Sequence, residues 1–197
     1  MRVPAAHGVS GIIFAAKHLL AEEVLMVDVV MVIAQRVFRD EEYAEPKRVL
    51  ESRGAHVVTA SVAPGECIGK LGLRVTADIS VADATKKHWD AVVFVGGAGA
   101  SVFFDDGAAH ELAQNAWGTD AVVSAICVAP STLAHAGLLD GVSATAFPSQ
   151  EADLRAHGAL WTGARVTVDG RVITGNGPEA ATEFGEAVAD ALGLPNS

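Results

Sequence analysis

The chain has 197 residues, half of them hydrophobic, and carries 24 acidic against 14 basic side chains for a formal net charge of −10. This acidic balance excludes a protein that grips nucleic acid by neutralising phosphates. The length and apolar content suit one α/β domain with a full core.

Two cysteines, Cys67 and Cys127, supply neither a disulfide framework nor a zinc set, which points to a reducing, cytoplasmic compartment. The seven histidines (His7, His18, His56, His88, His110, His135 and His157) are scattered. None shows metal-ligand spacing with a cysteine or carboxylate cluster, so each reads as a surface or helix histidine, and no metal or cofactor is expected.

Residues 1–26 read as an N-terminal extension ahead of a single domain over 27–197. The apolar run from Gly11 to Leu20 is interrupted by Lys17 and is too short to span a membrane. It makes a poor secretory signal because the charge sits inside the apolar stretch and no small-residue cleavage site follows. An amphipathic helix is the simple reading, with Met26 as an alternative start.

Val27 to Ala34 is a nearly continuous β-branched run, expected as a central parallel strand buried on both faces. Asp40 is placed to cap a helix running to Ser52 with Pro46 inside it, ended by Gly54. Ala55 to Ala60 returns as a strand and completes a βαβ unit. Pro64-Gly65 then turns the chain into a hairpin outside the main sheet, over Cys67 to Ile79.

Ala91 to Val95 is the third buried strand and ends in Gly96-Gly97-Ala98-Gly99. Asp105 or Asp106 caps a helix of about ten residues that ends before Gly118. Ala121 to Ile126 is the next strand, followed by Cys127 and a helix stopped by Gly137. Val142 to Phe147 reads as a strand. Asp169-Gly170 marks a hairpin between Val166 and Thr174. Gly175-Asn176-Gly177-Pro178 opens the last helix, whose core stripe is Ala181, Phe184, Val188 and Leu192. The alternation implies a three-layer, doubly wound, mostly parallel sheet of flavodoxin-like type.

The stretch from Ala121 to Gly141 organises the rest. A buried strand runs directly into a helix with Cys127 at the joint, which is the layout of a nucleophile elbow. The tight joint demands small residues two before and two after the nucleophile, and Ala125 and Ala129 stand there. The same sequence is equally compatible with a small buried cysteine at a strand end. Gly96-Gly97 does not continue into a dinucleotide fingerprint, since Ala100, Ser101 and Val102 follow Gly99. In an open parallel sheet it lies at the carboxyl edge with Cys127. There the amides of Gly97 and Val128 could form an oxyanion site, or the glycines could simply make a tight turn. Glu42, after the first strand, lies at the same edge and could equally be a solvated acid at the helix start.

Four stretches carry a family resemblance. They are Val29 to Ala34 with Phe38-Arg39-Asp40-Glu41-Glu42-Tyr43 and Pro46; Phe94-Val95-Gly96-Gly97; Ala125 through Cys127 to Pro130 with Leu133 to Leu139; and Val168 to Pro178 with Glu183 and Phe184. In this order, from about Val27 to Leu192, the chain resembles the superfamily of PfpI-type intracellular proteases and the Parkinson-disease-linked protein deglycase. The resemblance implies a glutamine-amidotransferase-like α/β fold and a homodimer or larger homo-oligomer. It also implies Cys127 as the reactive cysteine, Glu42 as its carboxyl partner, and the Gly97 and Val128 amides as the oxyanion site. A protonated Glu42 donating to sulfur would favour the thiolate, helped by the N-terminus of the following helix, whereas an ionised Glu42 would raise the thiol pKa.

The sequence departs from both branches. The protease branch has a histidine directly after the cysteine, where this chain has Val128. The deglycase branch has one about twenty residues later, where this chain has Phe147. Peptide hydrolysis must protonate a poor amine leaving group, usually with histidine. Reversible thiolate addition to an α-oxoaldehyde needs only a proton shuttle, so the sequence favours glutathione-independent glyoxalase or deglycase chemistry on small reactive carbonyls or glycated protein. An intracellular cysteine peptidase or amidase, and a redox-sensing or chaperone-like protein with an oxidisable Cys127, are the alternatives. No nucleic-acid or membrane partner is expected.

Overall fold

The computed structural model describes residues 26–196, so the expectations for the N-terminal extension fall, apart from Met26, outside the described residues. Strand β1 (Asp28–Val32) is followed by β2 (Arg36–Phe38), α1 (Asp40–Ser52), β3 (His56–Ser61), β4 (Gly65–Gly69), β5 (Arg74–Ala77), β6 (Ile79–Ser80) and α2 (Val81–Ala84). Next come β7 (Ala91–Phe94), a 3-10 turn (Ala98–Phe103), α3 (Gly107–Gly118), β8 (Val122–Ile126) and α4 (Pro130–His135). The chain closes with β9 (Ser143–Ala144), α5 (Glu151–Ala156), β10 (Leu160–Trp161), β11 (Val166–Asp169), β12 (Val172–Gly175) and α6 (Ala181–Ala191).

Seven strands form the central sheet in the order β11-β12-β8-β7-β1-β3-β6. All neighbours pair in parallel except β11, which is antiparallel to β12. The period-2 alternation of strands divides the core in two. Val30, Val32, Val92, Phe94 and Val123 face Leu112 of α3 and Leu133 of α4. Val29, Met31, Val93 and Ile126 face Leu50 of α1 and Phe184 and Val188 of α6. This is the expected three-layer, doubly wound α/β architecture. The strand order reverses between β1 and β7, and the crevice outside the carboxyl ends at such a switch point is where sites form.

Several local expectations are corrected. Asp40 is not the helix cap: Arg39 holds that position without a side-chain bond. The Asp40 carboxylate instead accepts from the amides of Leu71 and Leu73 at 2.8 and 2.7 Å, tying the β4–β5 turn to α1. The excursion outside the main sheet is three-stranded, because β2 pairs with β4. Its hairpin ends at Ala77, and Ile79 joins the main sheet through β3. Of the strand expected over Val142 to Phe147, only Ser143–Ala144 pairs, with Leu160–Trp161. Asp106, not Asp105, caps α3, accepting from the Ala109 amide at 2.8 Å, and that helix runs through Gly118. Cys67 is fully buried.

Helices α1 and α6 pack side by side. A Cβ at Gly185 would lie 2.8 Å from the Cα of Pro46, so the close approach requires glycine there. Arg53, at the end of α1, is buried, and its guanidinium bonds the carbonyls of Pro195 and Leu194 at 3.0 and 2.6 Å. It also pairs with Asp190 at 2.7 Å and Glu186 at 3.4 Å.

Candidate active site

Three connections leaving the carboxyl edge of the sheet converge. Cys127 follows β8 directly and holds φ +65°, a left-handed conformation that costs any side chain with a Cβ. Hydrogen bonds on both sides fix it there: its N–H donates to Gly175 O at 2.8 Å, and its carbonyl accepts from Phe147 N at 2.7 Å. A strand-to-helix joint with this left-handed backbone has the geometry of a nucleophile elbow. Because the Cys127 amide is committed to Gly175, oxyanion donors must come from elsewhere. The amides of Val128 and Gly97 both act on Sγ and favour its ionised form.

Gly96 and Gly97 follow β7. A Cβ on Gly96 would lie 2.5 Å from Cys127 Cβ, 2.5 Å from Glu42 Oε2 and 2.8 Å from the Ile126 carbonyl. Glycine is therefore what allows the carboxyl and the cysteine to meet. Gly97 holds φ +95°, and a Cβ there would run into the backbone of Val37, Phe38 and Arg39. The Gly96 carbonyl accepts from the Arg39 amide at 3.0 Å, docking the start of α1 onto this turn. Glu42, in the first turn of α1, then points inward and is fully buried, not a solvated helix-start acid.

The electrostatics follow from that burial. No donor completes a hydrogen bond of ordinary geometry to either Glu42 oxygen. Burial lifts its carboxyl to about 7, against weaker opposing pulls from the Cys127 thiol, Arg39 and the Gly96 amide. Burial, and then the charge of an ionised Glu42, lifts the Cys127 thiol to about 12. That second figure is for a thiol facing a carboxylate, so the two groups share protons as a unit: one leaves near neutrality and the other only in strong alkali. With one proton on the pair, the negative charge is better placed on Sγ, which two amides face, than on a buried carboxylate that only the Gly96 amide approaches. The proton then sits on Glu42. Helix α4 is only six residues long and starts at Pro130, so the two amides carry more of this stabilisation than the expected helix dipole.

The histidines among the described residues are engaged elsewhere. His56 bonds Asp28 and His110 bonds the Phe104 carbonyl, His88 approaches Asp90, and His135 and His157 contact Asp153. Phe147, bonded to the elbow through its backbone, is 44% exposed. It lines a cleft of about 290 Å³ with Pro148, Asn176, Gly177, Pro178 and Glu179. Cys127 itself is only 8% exposed.

The structure thus brings together all four expected residues: Cys127, Glu42, Gly97 and Val128. Sequence reasoning missed Gly96 as the spacer, Gly175 and Phe147 as the clamps on the elbow, and Arg39 as the anchor of α1. A Gly-Gly pair at a strand end was the available signal for Gly96. The backbone clamps leave no signal in side-chain identity.

Comparison with known proteins gives a consistent picture. The profile of the DJ-1/PfpI family matches residues 27–191. An uncharacterized protein of Methanocaldococcus jannaschii is 41% identical over 167 residues, covering 83% of this chain and 82% of the relative. An uncharacterized Staphylococcus aureus protein is 31% identical over 166 residues, 83% of this chain and 97% of that one. The crystal structure of a ThiJ/PfpI domain protein from Brachyspira murdochii superposes with a TM-score of 0.81 at 31% identity, covering 85% of this chain and 97% of that one. Drosophila melanogaster DJ-1beta shares the fold, with a TM-score of 0.76 at 23% identity over 87% of this chain and all of its own. With its elbow cysteine, buried glutamate and glycine turn in place, this chain belongs to the DJ-1/PfpI family.

Proposed function

We propose that the chain is a cysteine-dependent enzyme acting on methylglyoxal or its early protein adducts, without glutathione. The observation that carries this reading is the pairing of Cys127 with a fully buried Glu42, two groups that share protons and release the first at about 7, so the carboxyl can give and take a proton near neutral pH. Sγ adds to the aldehyde carbon, and the carbonyl electron pair moves onto oxygen near the Val128 and Gly97 amides. Glu42 protonates that oxygen, giving a hemithioacetal. As a carboxylate it then removes the proton from the same carbon, and the resulting enediol is reprotonated at the neighbouring carbon. The product is a lactoyl thioester on Cys127. Water cleaves the S–C bond, returning the thiol and releasing lactate, so one methylglyoxal and one water give one lactate with no external oxidant.

The slight exposure of Cys127 supports a small carbonyl substrate over a folded peptide chain. With Val128 and Phe147 at the two positions expected for a histidine, no described histidine stands beside the thiol to act as the leaving-group acid of peptide hydrolysis. The reading includes a homodimer or larger homo-oligomer, as the family resemblance implies, checked by sedimentation. It also includes a cytoplasmic location; no described helix is long and apolar enough to cross a membrane. The test is methylglyoxal consumption by purified protein, wild type beside Cys127→Ala. Loss of turnover in the variant with its fold intact is expected. Equal turnover by the variant, or none by the wild type, overturns the reading and moves weight to peptidase or redox-sensing roles for the same cysteine.

A further inference from the structure

On the far side of α4 from Cys127, folding gathers residues that sequence spacing kept apart. His135 ends α4, Asp153 lies in α5, and His157 caps that helix one turn later. His135 Nδ1 bonds Asp105 Oδ1 at 2.8 Å, and its Nε2 lies 3.1 Å from Asp153 Oδ1. His157 Nδ1 lies 3.4 Å from the same Asp153 oxygen. The two imidazoles stack with centroids 4.4 Å apart, and the three ligand atoms all lie within 4.8 Å of one another. Both histidines sit at helix ends, as expected, but folding brings them to one carboxylate.

We propose that His135, Asp153 and His157 form a surface site for a borderline divalent transition-metal ion such as Zn²⁺, with Asp105 as the outer carboxylate that orients His135. Ligand atoms about 2.0–2.1 Å from a tetrahedral zinc stand roughly 3.3 Å apart. The two edges that meet at Asp153, 3.1 and 3.4 Å, bracket that separation. His135 is held between two carboxylates, Nδ1 on Asp105 and Nε2 on Asp153, so either a ring proton or a metal ion can stand between Nε2 and the Asp153 oxygen. The Asp105–His135 arrangement is the carboxylate–imidazole pair that fixes tautomer and ring direction in metal centres.

In the unliganded site a ring proton on His135 bridges to Asp153, and the His157 Nδ1 proton goes to the Asp153 backbone carbonyl at 2.9 Å, with the Asp153 carboxylate 3.4 Å away. Taking up the ion displaces the first proton to solvent and shifts the second to His157 Nε2, on the exposed edge of that imidazole. Two imidazoles and one carboxylate disfavour Ca²⁺ and Mg²⁺, which prefer all-oxygen shells, and suit zinc, with water completing the shell. The ion would join the end of α4 to α5 and to the loop before α3.

The test uses full-length protein carrying Cys127→Ala, so that the elbow thiol takes no part, and measures Zn²⁺ binding by equilibrium dialysis with metal analysis. One ion per chain is expected. His157→Gln, at an exposed position that leaves the core intact, and Asp153→Asn should each weaken binding at least tenfold. Asp105→Asn, which touches no ion, should weaken it about tenfold, and His56→Gln should change nothing. Absence of bound zinc, or zinc whose affinity survives both His157→Gln and Asp153→Asn, overturns the proposal.

Discussion

Glu42→Gln distinguishes by its sign where the charge of the Glu42–Cys127 pair resides. The substitution keeps the shape of a side chain buried between Gly96 and Cys127 and removes the acidic proton. If neutral Glu42 donates to a thiolate, the replacement exchanges a charge-assisted bond, worth about 1.5–3 kcal/mol, for the weaker bond of an amide N–H. Losing roughly half of that raises the thiol midpoint by about one pH unit, since each unit is about 1.4 kcal/mol. If instead an ionised Glu42 faces a neutral thiol, removing the charge lowers the midpoint from about 12 toward its ordinary 9. The assay is the rate of Cys127 alkylation by iodoacetamide against pH, read by mass on the Cys127 peptide so that buried Cys67 does not contribute. The expected wild-type midpoint is near neutrality, with the variant higher. A wild-type midpoint in strong alkali, or a variant midpoint below the wild type, would refute the thiolate assignment. No change in midpoint or in turnover would reduce Glu42 to a structural acid.

Two further predictions follow from the same residues. The Glu42–Cys127 pair releases its first proton at about 7 in the folded protein, whereas an ordinary glutamate releases its own at 4.5, so between those values the native state holds a proton that the unfolded chain has lost. Stability should therefore fall as pH rises through that window, by about 3 kcal/mol, and level off above it. Urea midpoints of wild type and Glu42→Gln should diverge from pH 5 to pH 8 in the variant's favour; parallel curves would count against the raised carboxyl. At Cys127 the left-handed backbone penalises every side chain with a Cβ, so Cys127→Gly should be more stable than Cys127→Ala by about 1 kcal/mol in chemical denaturation, though both lack activity. An alanine variant as stable as the glycine variant would argue that the elbow relaxes and carries no strain.

The parts of this chain legible in its sequence are those where physics writes into side-chain type. Buried parallel strands must be apolar on both faces, so β1, β3, β7 and β8 announce themselves. The elbow needs small neighbours, and Ala125 and Ala129 record that need. The Asp169-Gly170 turn fixes the last hairpin, where Gly170 holds φ +58°. What stayed hidden depends on partners distant in the chain. Asp40 has the look of a cap because a carboxylate at a helix start usually is one; only folding shows it claimed by Leu71 and Leu73. Strand β2 is three residues long, with Val37 at φ +59°, and carries no periodic pattern to read. The His135–Asp153–His157 cluster is invisible because its members sit on two separate helices joined through an irregular stretch.

Arg53 has a consequence for how the protein is made. Its guanidinium is buried at the end of α1, yet the groups that satisfy it, Glu186, Asp190 and the carbonyls of Leu194 and Pro195, belong to the last stretch of the domain. A buried charge without partners costs several kcal/mol. As the chain emerges from the ribosome, the face of the sheet under α1 cannot close at low free energy until α6 and its tail have appeared. Domains released N-terminal end first generally gain structure as they lengthen. Here that face also carries Glu42, so the carboxyl half of the reactive pair should reach its buried setting only at the final stage of synthesis. A nascent chain stalled before residue 186 should leave that half of the core open to proteases while α3 and α4 have already been made.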